Sequence, residues 1–291
     1  MPDSINEEDR EIQSHFGLDT TDLLDRTATT LTEGTAVSRQ LGVVAACHAV
    51  SSADDREGPL HVLATIPTVA QPHRFVNTLA DRPSERSISK ATYSTLIGSS
   101  AGKSFTPGAV FDTGDDMGTD TRTTHLYLGN IDEYDSKTVR ALTELMQVGS
   151  YSVGSTPEPV RTNAALFCYA PPKYGTWGEY ESIREQIPGK IDLQHAVDVV
   201  VPMFDTSEQR DVDPMAPDEL EMVLTTGQTN SVTISDDVRA YAEREASEIT
   251  PTGDDSGADA WPQIRVTRTI LKLAVSIAKF DVSDVVTTEL S

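Results

Sequence analysis

Seven residues, LHVLATI at 60–66, run with almost no polar interruption. A short, continuous apolar run of this kind belongs to a strand covered on both faces, the situation of a parallel sheet. Two more such runs follow: AALFCYAPP at 164–172, stopped by two prolines, and AVDVVVPMF at 196–204. Another strand opens THLYLGNIDEYD at 124–135, which ends in acidic residues. Helical segments lie between them. VSRQLGVVAACHAVSS at 37–52 is apolar all round and reads as a buried helix, and HRFVNTLAD at 73–81 reads as another. SKTVRALTELMQVG at 136–149 is amphipathic, with Ser136 as its expected cap. Strand alternating with helix predicts an α/β fold with helices on both faces of one sheet.

The texture changes after residue 206. A helix over 235–249 capped by Ser235, an acidic loop TGDDSGADAW, and a final amphipathic helix over 265–283 make the tail all-helical. The expected division is an acidic, helical N-terminal segment at 1–35, an α/β core at 36–205 and a small helical lid domain at 206–291.

The chain has 46 acidic residues against 23 basic ones, a net charge of −23, and the excess is spread along its length. This is the surface expected of a protein adapted to high salt, as in halophilic archaea, because molar salt shortens the Debye length to about 3 Å and screens self-repulsion. Phosphate contacts need Lys and Arg, so DNA binding would require a local Arg cluster that spacing does not reveal. Cys47 and Cys168 sit in apolar runs without a C-x-x-C pair and read as buried free thiols. No signal peptide opens the chain, and its apolar runs are too short to span a membrane. A soluble, cytoplasmic protein is the expectation.

LIGSSAGKSF at 96–105 has the ingredients of a phosphate loop. The P-loop needs four residues between its first glycine and its Gly-Lys pair, and a helix after it. Gly98 and Gly102 are separated by three, and Lys103-Ser104 leads into Phe-Thr-Pro-Gly. The stretch reads as a turn.

Other stretches carry more. IDEYD (131–135) ends a strand and precedes a helix reading ALTELM; APPKYG (170–175) follows the next strand; EQIPGKIDLQHAVDVVV (185–201) leads into a third; ILKLAVSIAKFDVSDVVT (270–287) closes the chain. Together they resemble the ATPase domain of the minichromosome maintenance (MCM) replicative helicases, in order and spacing, from about residue 22 onward. The resemblance implies an AAA+, P-loop NTPase-like fold, a parallel sheet sandwiched by helices and followed by a helical lid. It matches Asp132 to the Walker B magnesium ligand, Glu133 to the general base and Arg265 to the sensor 2 arginine.

It also places the Walker A loop at 66–73, IPTVAQPH, which has no glycine. The family's lysine falls on Pro72, its Ser or Thr on His73, and Pro67 stands earlier in the loop. Prolines donate no N–H, and the cation that meets the phosphates is absent. His73 reads as a surface histidine. The sensor 1 asparagine falls on Pro171, the arginine finger on Ala196 between His195 and Val197, and the lysine of the DNA-contacting hairpin near Ser155. Three functional readings follow from the resemblance. One is an ATPase-defective, MCM-like scaffold or regulatory partner that needs no cofactor and contacts other replication proteins, an active MCM, or itself. Another is a divergent DNA helicase subunit that binds ATP and Mg²⁺ through Asp132, Glu133 and Arg265. A third has Arg265 serving a neighbouring subunit's ATP.

Overall fold

A computed structural model describes residues 20–81, 85–101, 104–111, 123–153, 159–179, 182–187, 191–204, 212–249, 263–280 and 285–286. In chain order the strands are β1 (Val62–Thr65), β2 (Glu85–Ile88), β3 (Gly98–Ala101), β4 (Ser104–Pro107), β5 (Thr124–Gly129), β6 (Ser150–Tyr151), β7 (Val160–Arg161), β8 (Ala164–Ala170), β9 (Val199–Pro202), β10 (Thr233–Ile234) and β11 (Val285–Val286). The helices are α1 (Thr20–Thr32), α2 (Arg39–Val50), α3 (Pro72–Leu79), α4 (Tyr93–Leu96), α5 (Ser136–Val148), α6 (Ile183–Gln186), α7 (Ile191–Gln194), α8 (Pro217–Thr229), α9 (Asp236–Ile249) and α10 (Gln263–Phe280).

Five strands form one parallel sheet in the order β2-β5-β8-β1-β9. Successive side chains of a strand point to opposite faces, and the apolar runs supply both. Val62, Ala64, Tyr127, Phe167 and Tyr169 pack into one core with α1, α2 and α3. Leu63, Leu126, Leu128, Leu166, Cys168 and Ala170 pack into a second core, under Val139, Leu142, Leu145 and Met146 of α5. The sheet is thus covered on both faces, as the continuous apolar runs require.

The C-terminal helices belong to the same packing. Val223 and Leu224 of α8 and Phe280 of α10 join the first core. α9 and α10 meet through Val238 and Ala242 against Leu271, Ala274, Val275 and Ala278. α1 lies tightly across α2 because Gly42 leaves room for it: a Cβ there would stand 2.8 Å from the Ala28 carbonyl oxygen.

Two local expectations shift, and one strand was not anticipated. The N-cap of α5 is Asp135, not Ser136: Asp135 is extended, and its carboxylate accepts the Thr138 N–H at 2.7 Å, while Ser136 is already helical. That bond holds the Asp135 carboxyl below its ordinary value. β9 begins at Val199, since Ala196 and Val197 bond back to Leu193 in a turn. β2 had no apolar run to announce it; ERSI lies at the sheet edge with its two middle residues exposed. Of the N-terminal segment, residues 1–19 lie outside the described residues, as does the acidic loop 252–261. Among the described residues no helix is long and apolar enough to cross a membrane. Cys47 and Cys168 are buried and free, and burial pushes each thiol up to about 12. Thiolate is the reactive form, so both are expected to resist alkylation by an aromatic disulfide until denaturant is added.

Candidate functional site

The carboxyl ends of β1, β5 and β8 carry most of the residues that the sequence singles out. β1 runs into Ile66 and Pro67, then one 3-10 turn over Thr68–Ala70, then α3. Here the chain folds on itself. The Ile66 N–H donates to the Ala170 carbonyl at 3.0 Å and the Thr68 N–H to the Gly175 carbonyl at 3.2 Å. Within the turn, Ala70 donates to Pro67 and Gln71 to Thr68. Pro67 and Pro72 have no N–H at all. Six of the eight positions 66–73, four bonded and two proline, therefore offer no free amide to an anion. Gln71 stands at φ 53°, ψ 57°, a left-handed conformation rare for residues with a Cβ.

The segment 170–175, which includes Pro171, is thus stitched to the 66–73 loop by two backbone bonds. The crevice beside them is filled. The Tyr169 hydroxyl lies against Gly129, where a Cβ would come within 2.6 Å of it, and meets His73 Nδ1 at 3.2 Å. Burial raises the Tyr169 phenol. His73 is exposed at the surface, as expected, but its ring is tied to Tyr169. The residues at this edge do not fit a magnesium triphosphate. The loop lacks a lysine, six of its eight positions offer no free amide, and the Tyr169 hydroxyl packs against Gly129 and His73.

Asp132 and Glu133 come after β5 rather than on it. Asn130 turns the chain at φ 51°, and Ile131–Glu133 form a 3-10 turn that buries Ile131 and leaves both carboxylates exposed. Asp132, Glu133 and His73 share the carboxyl side of the sheet.

Arg265 lies at the other side. On α10, it donates to the carbonyl of Val197, just before β9. Burial lowers its ordinary value, and Asp198 opposes that. Along β1, whose four residues span about 13 Å at roughly 3.3 Å each, the two sides are separated by the length of the strand. The structure therefore does not bring Arg265 together with Asp132, Glu133 or the 66–73 loop. Ala196, beside Val197, is buried in the second core. The GSSAGKS stretch falls across β3 and β4, an antiparallel ribbon in which Gly98 pairs with Pro107; Gly102 and Lys103 lie outside the described residues. A hairpin has no helix terminus to receive a phosphate. Before β8, β6 and β7 form a two-residue antiparallel ladder; Ser155, where the resemblance places the hairpin lysine, lies outside the described residues.

What periodicity and spacing did not disclose is the polar cluster at the amino side. Asp198 Oδ2 accepts the His61 N–H at 2.8 Å and Lys272 Nζ at 2.7 Å, and Lys272 also donates to the Pro59 carbonyl at 2.7 Å. His61 Nδ1 accepts the Leu166 N–H at 3.2 Å. The sign was hidden because these residues lie far apart in sequence.

Burial, then the charge of Lys272, holds His61 well below the ordinary imidazole value. The folded chain keeps it neutral, whereas the unfolded chain takes up its proton below about pH 6.5. Stability is fully present above that pH and is lost as pH falls, by about 1.4 kcal/mol per unit until the folded value is reached. Urea unfolding between neutral pH and pH 5 is expected to show this slope. His61→Asn, whose side-chain oxygen still accepts from Leu166, is expected to flatten it by about one proton's worth.

No family model matches the chain, and no curated protein matches it.

Proposed function

We propose that the chain is an MCM-like AAA+ protein that has given up nucleotide hydrolysis and acts by protein contact, as a scaffold or regulatory partner of a replication complex. The closed 66–73 loop carries the reading. The parallel order β2-β5-β8-β1-β9 is compatible with a P-loop NTPase fold, with the loop after the strand that lies between β8 and β9. Gln71 supports the same ancestry. It holds the left-handed conformation at the position where the motif has the glycine before its lysine. The backbone bend is kept while the chemistry is lost.

The surface at this edge supports contact rather than catalysis. Val69, Tyr174, Ile183 and Phe204 are 71, 59, 50 and 53% exposed, all on segments that follow β1, β8 or β9. Trp177 stacks on Phe204 at 4.6 Å and bonds the Met203 carbonyl, so the aromatic surface is held in place. Four exposed apolar side chains following strands of one sheet, on a chain of charge −23, are the composition of an interaction face. The helical tail corresponds in this reading to the lid, packed down on the α/β layers.

Losing the arginine finger alone removes about 10³–10⁵ in rate. ATP turnover by the purified chain is expected to equal that of its Glu133→Gln variant, with and without single-stranded DNA. A rate that falls on that substitution would overturn the reading.

A further inference from the structure

At the amino side of the sheet, opposite the degenerate loop, lies a cavity of about 370 Å³. It is bounded by the start of β1 at His61, the start of β8 at Asn163 and Ala164, the last turn of α5, and one face of α10. Its charge inverts that of the molecule. Arg161, Arg268 and Lys272 line it and no carboxylate residue does among the described residues, although acidic residues outnumber basic ones 46 to 23 in the chain.

Lys272 is neutralised by Asp198. The two arginines are not. Arg268 donates through Nε and one terminal nitrogen to the Glu57 backbone carbonyl, at 3.2 and 3.0 Å, a contact that fixes it without cancelling its charge. Glu57's own carboxylate is occupied by Arg239 at 2.9 Å. Arg161 is exposed and pairs with no carboxylate among the described residues. A guanidinium presents a planar fork of donors that matches a phosphate. Keeping two uncompensated guanidiniums on one cavity, in a chain with this surplus of carboxylates, is what an anion site requires.

The opposite wall differs in kind. It is the C-terminal turn of α5, Leu145–Val148, before Gly149, whose N–H takes the Leu145 carbonyl at 2.8 Å and leaves those of Met146, Gln147 and Val148 as the acceptors. The last carbonyls of a helix lie beyond the intrahelical ladder and act as acceptors. That wall suits hydroxyl or amino donors and repels an anion, so a ligand has one orientation. The volume is at the small end of metabolite pockets.

We propose that this cavity binds a small hydroxylated phosphomonoester, its phosphate between Arg161 and Arg268 and its hydroxyls toward the last turn of α5. The site is independent of the nucleotide-loop question and stands whether or not that loop binds ATP.

Ribose 5-phosphate, ribose, orthophosphate and an oligothymidylate are titrated into the full chain by calorimetry. Ribose 5-phosphate is expected to saturate and orthophosphate to compete with it, while ribose alone does not bind. Arg161→Gln, which breaks no ion pair of the described fold, is expected to weaken ribose 5-phosphate about tenfold or more with an unchanged melting temperature. Asn163→Leu, which fills the cavity from β8, is expected to abolish binding with the chain still folded. Three results would overturn the proposal: no saturation by either phosphate, equal affinity in the Arg161→Gln chain, or binding of the oligonucleotide alone.

Discussion

Asp198→Ala is expected to lower the stability of the chain by about 3–5 kcal/mol, the usual consequence of leaving a buried charge without its partner. Lys272 is buried, and its ammonium has Asp198 Oδ2 and the Pro59 carbonyl as its bonds. Burial lowers Lys272 from its ordinary value, and Asp198 opposes that shift. The same carboxylate oxygen accepts the His61 N–H at the entry to β1, while the Asp198 carbonyl accepts Thr269 Oγ1 at 3.2 Å. One residue therefore ties β1, β9 and α10 together. Removing the carboxylate strands both the ammonium and a buried amide. Urea unfolding measures the loss. The double change Asp198→Ala with Lys272→Met removes both charges and is expected to recover a large part of it, because the net worth of a buried pair is small. A loss below about 1 kcal/mol in the single variant would mean that the amino side of the sheet is wet.

The second large effect is expected at Phe167, at about 3–5 kcal/mol for Phe167→Ala. Phe167 is fully buried in β8 and pairs in register with Val62 of β1 and Tyr127 of β5. Its ring meets His48 of α2 at 5.5 Å, Tyr127 at 5.8 Å and Phe75 of α3 at 6.3 Å. Three elements besides its own strand would face the resulting void, and a fully buried ring in the middle of a sheet leaves neighbours little room to close it. The midpoint in urea should fall while the slope stays constant. An unchanged midpoint would contradict the packing of α2 and α3 on this face.

How far this could be read from residues alone differs between elements. β1, β8 and β9 were visible because each is a continuous apolar run: β1 and β8 are central, and β9, though at the sheet edge, packs Val199 and Val201 on one core and Val200 on the other. β2 was not, because an edge strand with exposed residues needs no such run. The α5 helix was visible through its period, but of two adjacent cap formers the expected one, Ser136, is one residue late: the cap is Asp135, whose carboxylate accepts Thr138. At the site, the absence of glycine and lysine from 66–73 was plain in the letters. That two of its amides are bonded to 170–175, and that the Tyr169 hydroxyl meets His73, depends on residues about a hundred positions away. Arg265 shows the same gap: a matching motif position said nothing about which side of the sheet the side chain would reach.

The most direct test of the closed loop is nucleotide binding. A fluorescent ATP analogue with Mg²⁺ is titrated into the purified chain in molar potassium chloride, where exposed charges are screened within about 3 Å, beside Asp132→Ala as control. With the amides of Ile66, Thr68, Ala70 and Gln71 engaged and no lysine at 72, the expected result is no saturable signal in either protein. Saturable binding that disappears in Asp132→Ala would contradict it, and would make the carboxyl edge a working nucleotide site.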